Sequence, residues 1–464
     1  MSTAAATDAY APVGGKTSLP GLTGWVLFDW SCQPFYTLIT TFLFAPFFTS
    51  VVVSGPSGAA LWGYIAGISA ILVAIGSPIL GAMADARGRS KPLMAVIAVV
   101  FAVTQTLLWY AEPGITGPQL WLVVVAMIIA TACSEYATVL NNALMPRLVP
   151  SDQLGRISGI GWAVGYVGGI VSLLLMAAFI VIDPNTGKTM LGLESLIPND
   201  PSRPADRIVG PLSALWFLIF VTPFFLFTPD APPKPGERGG VRDALRNLAH
   251  TISNVRRYRN IAMFLIAYLL FIDGLMAIFS FGGIYGANIF GWQATALASF
   301  GIIITVAGGI GAFIGGFLDD RLGSKAVILG ALVLLMIAAV GVISIDTTHI
   351  LFAIEVPAPE AGRSTFGSTG EMVYVLFAIL IGLAAGPLQS ASRSFLARMA
   401  PAEHMSEFFG MFAFSGKVSA FLAPITISAI TTATGSLRLG MASVLIYLIA
   451  GLMFMGMVKS ESAR

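Results

Sequence analysis

Charged residues are scarce in this sequence. Asp, Glu, Lys and Arg make up 10% of its 464 residues, against 56% hydrophobic. A water-soluble domain needs a polar skin and carries about 25% charged residues, so a soluble enzyme or binding module is excluded. The net charge of +2 is too small to point to nucleic acid. There are two cysteines, Cys32 and Cys133, both inside apolar runs, so neither a disulfide framework nor a metal site is indicated. The three histidines, His250, His349 and His404, are isolated and lie outside those runs. No Gly-x-x-x-x-Gly-Lys phosphate loop occurs, so ATP is not expected to drive any activity. No nucleophile–base constellation stands out, so no enzyme and no cofactor are expected.

What the chain has is long apolar runs. Mean hydropathy is +0.85, and runs of 18 or more mostly apolar residues recur, each long enough to cross a hydrocarbon core of about 30 Å. Twelve spans are expected: roughly 22–48, 58–84, 92–111, 119–145, 155–182 and 209–228, then 260–289, 295–318, 325–346, 371–397, 407–433 and 437–458. These divide the chain into a tail (1–21), a six-helix bundle (22–228), a linker (229–259), a second bundle (260–458) and a tail (459–464). The first 20 residues are small and polar with no apolar core, so a cleaved signal peptide is not expected and the first helix directs insertion. With the N-terminus inside, 19 of the 25 Lys and Arg residues fall on the cytoplasmic side, five fall outside and Lys417 lies within a span. The positive-inside rule then puts both termini in the cytoplasm of an inner-membrane protein. In the linker, Val241, Leu245, Leu248, Ile252 and Val255 recur at helical spacing beside Arg242, Arg246 and Arg256. That pattern predicts a basic amphipathic helix on the inner membrane face, a solvated connector being the alternative.

One loop occurs twice. Gly81-Ala-Met-Ala-Asp85-Ala-Arg87-Gly88-Arg89-Ser-Lys91 is echoed 235 residues later by Gly316-Phe-Leu-Asp-Asp320-Arg321-Leu-Gly323-Ser-Lys325. A second echo, Arg147-Leu-Val-Pro150 and Arg398-Met-Ala-Pro401, ends the fourth and tenth spans. Its offset of 251 residues fits a longer loop after the ninth span than after the third. Internal repeats fix architecture, and two equivalent membrane halves are how many secondary transporters are built. The first glycine of each loop allows close helix approach, and the aspartate suits a helix N-terminus or the loop arginines. Gly81, Asp85, Arg87, Gly88, Arg89, Gly316, Asp320, Arg321 and Gly323 are therefore gating candidates; a tight turn with positive-inside charge is the plain alternative.

Ionisable groups inside spans are costly and usually functional. Asp29 carries Gln33, Tyr36, Thr37 and Thr40 on or beside its helical face, and Glu135 carries Thr131, Thr138 and Asn142. Asp273 lies mid-span, Lys417 lies in the eleventh span, and Gln389, Ser392 and Arg393 form a polar stretch on the tenth. These stripes are expected to converge on a hydrated cavity, with Asp29, Gln33, Glu135, Asn142, Asp273, Gln389, Arg393 and Lys417 as substrate or proton-coupling candidates. Structural pairing of the carboxylates with Lys417 or Arg393 stays open. Glycines four apart, Gly63/Gly67, Gly161/Gly165/Gly169 and Gly311/Gly315, mark expected close helix packing.

Twelve spans, a basic linker and the doubled loop resemble the major facilitator superfamily. Gly24-Trp-Val-Leu-Phe-Asp29-Trp30, Gly159-Ile-Gly-Trp162-Ala-Val-Gly165-Tyr166 and Ala267-Tyr268-Leu-Leu-Phe-Ile-Asp273-Gly274 are similar to motifs of one family within it. So are Gln389-Ser-Ala-Ser392-Arg393-Ser-Phe and Glu407-Phe-Phe-Gly410 with Ser415-Gly416-Lys417. That family contains the fungal vacuolar amino-acid effluxers of autophagy and many bacterial relatives. Phe28 before Asp29, and Ser31-Cys32-Gln33 after Trp30, depart from the family's usual Tyr and Ala-Asn-Ser, which alters the cavity stripe. The resemblance implies an all-α fold of two six-helix bundles. It further implies a monomeric secondary transporter that moves an amino acid or similar small polar solute with protons or another cation, by alternating access in a lipid bilayer. A sugar–cation symporter, a drug exporter, and a non-transporting receptor or assembly factor remain as alternatives.

Overall fold

The computed structural model describes residues 17–182, 186–198, 200–230, 246, 257–358 and 364–460. Its elements are almost all helical. The long helices are α1 (Leu19–Pro34), α2 (Pro56–Arg87), α3 (Lys91–Leu107), α4 (Gly117–Leu148), α5 (Leu154–Phe179) and α6 (Val209–Phe227). They are followed by α7 (Arg259–Phe290), α8 (Ala294–Leu322), α9 (Ser324–Ile343) and α10 (Thr369–Met399). The eleventh span is α11 (Met405–Ser415) and α12 (Leu422–Thr434), and the twelfth is α13 (Leu437–Ala442) and α14 (Val444–Met457). A two-residue hairpin, β1 (His349–Ile350) with β2 (Ile354–Glu355), sits in the loop after α9. Eleven spans among the described residues are long and apolar enough to cross a membrane, and the interrupted α11–α12 stretch completes the twelve expected from sequence. The expected linker helix, Arg246 apart, falls outside the described residues.

Besides the single-residue turn at Ser443 in the twelfth span, two spans depart from the continuous helices expected from apolar length. The first leaves α-geometry after Pro34, running as a wide helix over Phe35–Phe42 and again over Phe48–Val52. Proline has no N–H for the carbonyl four residues back, and here that carbonyl, on Trp30, instead accepts from the Trp216 indole at 3.2 Å. The eleventh span unwinds over 416–421. Pro424 cannot donate to the Ala420 carbonyl, and the turn runs on bonds from Ala420 N–H to the Lys417 carbonyl and from Leu422 N–H to the Ser419 carbonyl.

Chain contacts define two compact units. One comprises 1–149, 164–248 and 402–413; the other comprises 150–163, 249–401 and 414–464. Each therefore takes one short stretch from the opposite sequence half, the beginning of α5 in one case and α11 in the other.

Glycines set the close crossings within these units. A Cβ on Gly311 would lie 2.5 Å from the Leu383 carbonyl, which Pro387 leaves without its usual donor, and one on Gly315 would lie 2.5 Å from Pro387 itself. Gly165 and Gly169 of α5 press on Gln33 and Thr37 of the first span. Gly63 and Gly67 behave differently: both are exposed, and a Cβ on either would meet nothing within 4 Å, so this pair does not mark a helix contact. Four-residue spacing shows a smooth face, and only tertiary structure decides whether a second helix uses it.

Candidate functional site

The doubled loop is built the same way both times. In each copy the preceding long helix ends on the second glycine, Gly88 with φ 76° and Gly323 with φ 85°, a region that side-chain-bearing residues avoid. The shared spacing then puts an aspartate in the last turn. The Asp85 carboxylate accepts the backbone N–H groups of Ser406 (3.1 Å) and Glu407 (2.8 Å). The Asp320 carboxylate accepts those of Gly155 (2.8 Å) and Arg156 (3.1 Å). In both cases these are the second and third residues of the receiving helix, α11 and α5. First-turn N–H groups have no partner inside their own helix, and the helix dipole makes that end positive. A carboxylate there satisfies two donors and meets a favourable field.

The first glycine of each copy lets this happen. A Cβ on Gly81 would lie 2.1 Å from the Ser406 carbonyl oxygen, and one on Gly316 would lie 2.8 Å from the Gly155 carbonyl oxygen. The closing lysines also match. Lys91 Nζ donates to the Phe225 carbonyl at 3.0 Å, and Lys325 Nζ donates to the Gly456 carbonyl at 3.0 Å; each puts a cation at the negative C-terminal pole of the last helix of its half. Arg87, Arg89 and Arg321 are exposed.

Other residues complete each cap. Arg398, from the second echo, holds Asp319 at 2.5 Å and Asp320 at 3.2 Å. Asp319 is 1% exposed and also accepts from the hydroxyls of Ser324 and Ser394. Arg147, the counterpart of Arg398, lines one small cavity with Asp85, Glu403 and Ser406. His404 Nδ1 lies 3.0 Å from Glu407 Oε2. That hydrogen bond raises the imidazole above its ordinary value; burial opposes the shift, and the charges of Glu407, Asp85 and Glu403 reinforce it. Asp319, Arg398, His404 and Glu407 were not singled out as site residues from sequence. The arginine echo and the acidic pair Asp319-Asp320 were the available signals.

The polar stripes lie within the two units. In the first, Asp29, Gln33 and Glu135 are half-buried and Asn142 is buried. Asp29 and Glu135 both act electrostatically on Cys32, and Glu135 acts on Tyr36, whose hydroxyl accepts from Ser134. Helix α5 meets this stripe through Gly165, where a Cβ would lie 3.1 Å from Gln33 Nε2 and 3.5 Å from Asp29 Cβ. In the second unit, Arg393 is 3% exposed. It donates from Nε to the Ser158 hydroxyl (2.8 Å) and from Nη2 to the Ser158 carbonyl (2.6 Å), with its guanidinium over the Trp162 ring. Gln389 donates to the Ala385 carbonyl at 3.2 Å. Asp273 is 2% exposed, and Lys417 is half-buried on the turn between α11 and α12.

Comparison with known proteins gives the family. The family model described as "Vacuole effluxer Atg22 like" matches residues 47–464. The chain is 24% identical over 444 residues to YxiO of Bacillus subtilis, an uncharacterised MFS-type transporter, covering 95% of each. It is 26% identical over 317 residues to autophagy-related protein 22 of Cryptococcus neoformans, covering 67% of this chain and 53% of that one. The chain thus spans about half the length of that fungal relative. Among solved structures, the human organic anion transporter MFSD10 superposes with a TM-score of 0.68 at 14% identity, covering 94% of this chain and 99% of that one. At that identity the likeness speaks for the fold.

Proposed function

Because this chain belongs to the vacuole effluxer Atg22-like family of major facilitator transporters, we propose that it moves a small polar solute, an amino acid or close analogue, by cation-coupled alternating access. It is a transporter of the membrane, and no enzyme. The observation carrying the mechanism is the pair of aspartate caps. Each loop seats its carboxylate on a helix that begins in the other sequence half. A contact of this kind holds only while the receiving helix end stays within about 3 Å of the carboxylate. Rocking motions of the kind alternating access requires would break both caps, so they favour one state and release in the other. Gly81, Asp85, Gly88, Gly316, Asp320 and Gly323 build these caps, and the exposed Arg87, Arg89 and Arg321 set the charge of the loop face.

Asp29, Gln33, Glu135 and Asn142 in one unit, and Asp273, Gln389 and Lys417 in the other, supply the solute and cation contacts in this reading. Arg393 positions the first turns of α5. The excess of lysine and arginine on one side supports cytoplasmic termini in this reading, with an inner membrane of a bacterium as the expected location. The family description favours export, and the amino-acid class follows from the resemblance of the motifs. Purified protein in liposomes, given radiolabelled amino acids and an imposed pH or sodium gradient, tests this. Gradient-dependent flux that Asp29→Asn abolishes is expected. Solute-independent behaviour across an amino-acid panel would overturn the substrate class, and the same result with sugars and organic anions would overturn transport.

A further inference from the structure

Buried polar atoms without partners are rare in folded proteins, and each calls for a physical reason. Two of them meet where the eleventh span is broken. Asp273, at the middle of α7, is 2% exposed, and its Oδ2 has no hydrogen-bond partner among the described residues. Ser419, on the unwound turn, is 4% exposed with its hydroxyl likewise unpartnered. The Ser419 hydroxyl faces the Asp273 carboxyl, short of a formed hydrogen bond. Both belong to the same compact unit.

Three features make this more than a packing accident. The carboxylate forms no ion pair among the described residues. It is not a helix cap either. Asp85 and Asp320 show what a cap looks like in this protein, with both carboxylate oxygens engaged by N–H groups. Asp273 instead keeps Oδ2 bare in the interior of an apolar chain, a costly placement unless the charge is met.

The backbone beside it has also left the helix ladder. Over 416–421, the carbonyls of Gly416 and Val418 accept no backbone N–H among the described residues. The break directly follows the C-terminal, negative pole of α11. Unwound carbonyls and half-helix C-termini at mid-membrane are donors suited to a small cation. On another side, α14 closes on α7 at the residue after the carboxylate, where a Cβ on Gly274 would lie 2.8 Å from Leu448.

We propose that Asp273, the Ser419 hydroxyl and the unwound backbone of 416–421 form a binding site for one monovalent cation, sodium or a proton. The donor set decides the charge. With a single carboxylate and no cluster of three or more His, Cys, Asp or Glu among the described residues, the site balances one positive charge. This deepens the transport reading, since a cation held at a helix break links that ion's gradient to the helix's conformation.

The test needs no solute. Full-length protein in lipid nanodiscs is melted while sodium chloride replaces choline chloride at constant ionic strength. In parallel, infrared difference spectra follow the carboxylic-acid C=O band as pH is changed. For a sodium site, sodium and not choline raises the melting temperature by several degrees, and Asp273→Asn removes the rise. For a proton site, the wild type shows a titrating acid band that Asp273→Asn lacks. If neither signal depends on Asp273, the proposal falls while the transport reading, tested separately by flux, stands. Should Asp273→Asn not fold, Ser419→Ala decides: it keeps the carboxylate, and a several-fold displaced midpoint supports the site while an unmoved one overturns it.

Discussion

The two aspartate caps share a geometry and differ in everything around it. Asp320 sits among cations: Arg398 at 3.2 Å, and Arg156, a residue of the capped turn itself, at 4.0 Å. Asp85 sits among acids. Glu407 occupies the position in α11 that Arg156 holds in α5, Glu403 lines the same cavity, and the half-exposed His404 partly offsets them alongside Arg147. The registers also diverge one residue earlier. Where the second loop has Asp319, buried against Arg398, Ser324 and Ser394, the first has Ala84. A duplicated motif has thus kept its hydrogen-bond geometry while one copy became an arginine-reinforced cap and the other an acidic one.

The largest expected effect separates the two copies at Asp319. Asp319→Ala leaves the Arg398 guanidinium, 17% exposed, with one carboxylate in place of two and takes one acceptor from each of two serine hydroxyls. Breaking a buried, hydrogen-bonded ion pair costs about 3–5 kcal/mol, which thermal unfolding of the purified protein would register as a marked drop. A drop worth less than about 1 kcal/mol would place this network with ordinary surface pairs and erase the proposed contrast.

The caps themselves come next. Asp85→Ala and Asp320→Ala should each cost about 1–2 kcal/mol, the usual loss on removing an N-terminal cap. Asparagine keeps an acceptor and removes the charge, so it sharpens the comparison. Asp320→Asn deprives two arginines of an anion and should cost about 1 kcal/mol, whereas Asp85→Asn relieves repulsion from Glu407 and Glu403 and should be nearly neutral. Equal losses at both positions, measured side by side, would show that the helix dipole dominates and the flanking charges do not matter.

How much of this was written in the sequence depends on whether a feature is local. The Gly–Asp–Gly spacing was legible in both copies, as were the matching Arg147 and Arg398, because each reflects a turn built within a dozen residues. The roles of Asp319 and Asp320 were not separable. Neighbours on a helix point about 100° apart, and only the arrangement of α5 and α10 decides which one caps and which one is buried. The break at 416–421 was masked by apolar length, although Gly416 and Pro424 were in plain view. Proline costs a helix one bond, and whether the chain repairs or abandons that turn depends on its neighbours: at Pro34 the Trp216 indole takes over the freed carbonyl, while at Pro424 the turn opens. The exposed Gly63 and Gly67 make the same point for packing motifs.

The smallest effect tests the acidic cap by pH alone. His404 titrates above its ordinary value because it donates to Glu407 and faces Asp85 and Glu403. A group whose folded value is raised contributes its full stabilisation below the unfolded value of about 6.5 and loses it as pH rises through the folded value. The Asp85 cap should therefore be firmest in mildly acidic solution and loosen as pH climbs past neutrality. The partial exposure of His404, 33% of its side chain, limits the effect to about 0.2–1 kcal/mol. Hydrogen exchange at the Ser406 and Glu407 amides should rise with pH beyond the intrinsic rate. At the Gly155 and Arg156 amides, capped by an aspartate with arginine partners and no histidine contact among the described residues, it should follow the intrinsic rate alone. His404→Gln should abolish the difference; a pH response that persists in this variant would show that His404 is not its source and leave the asymmetry between the caps without its proton switch.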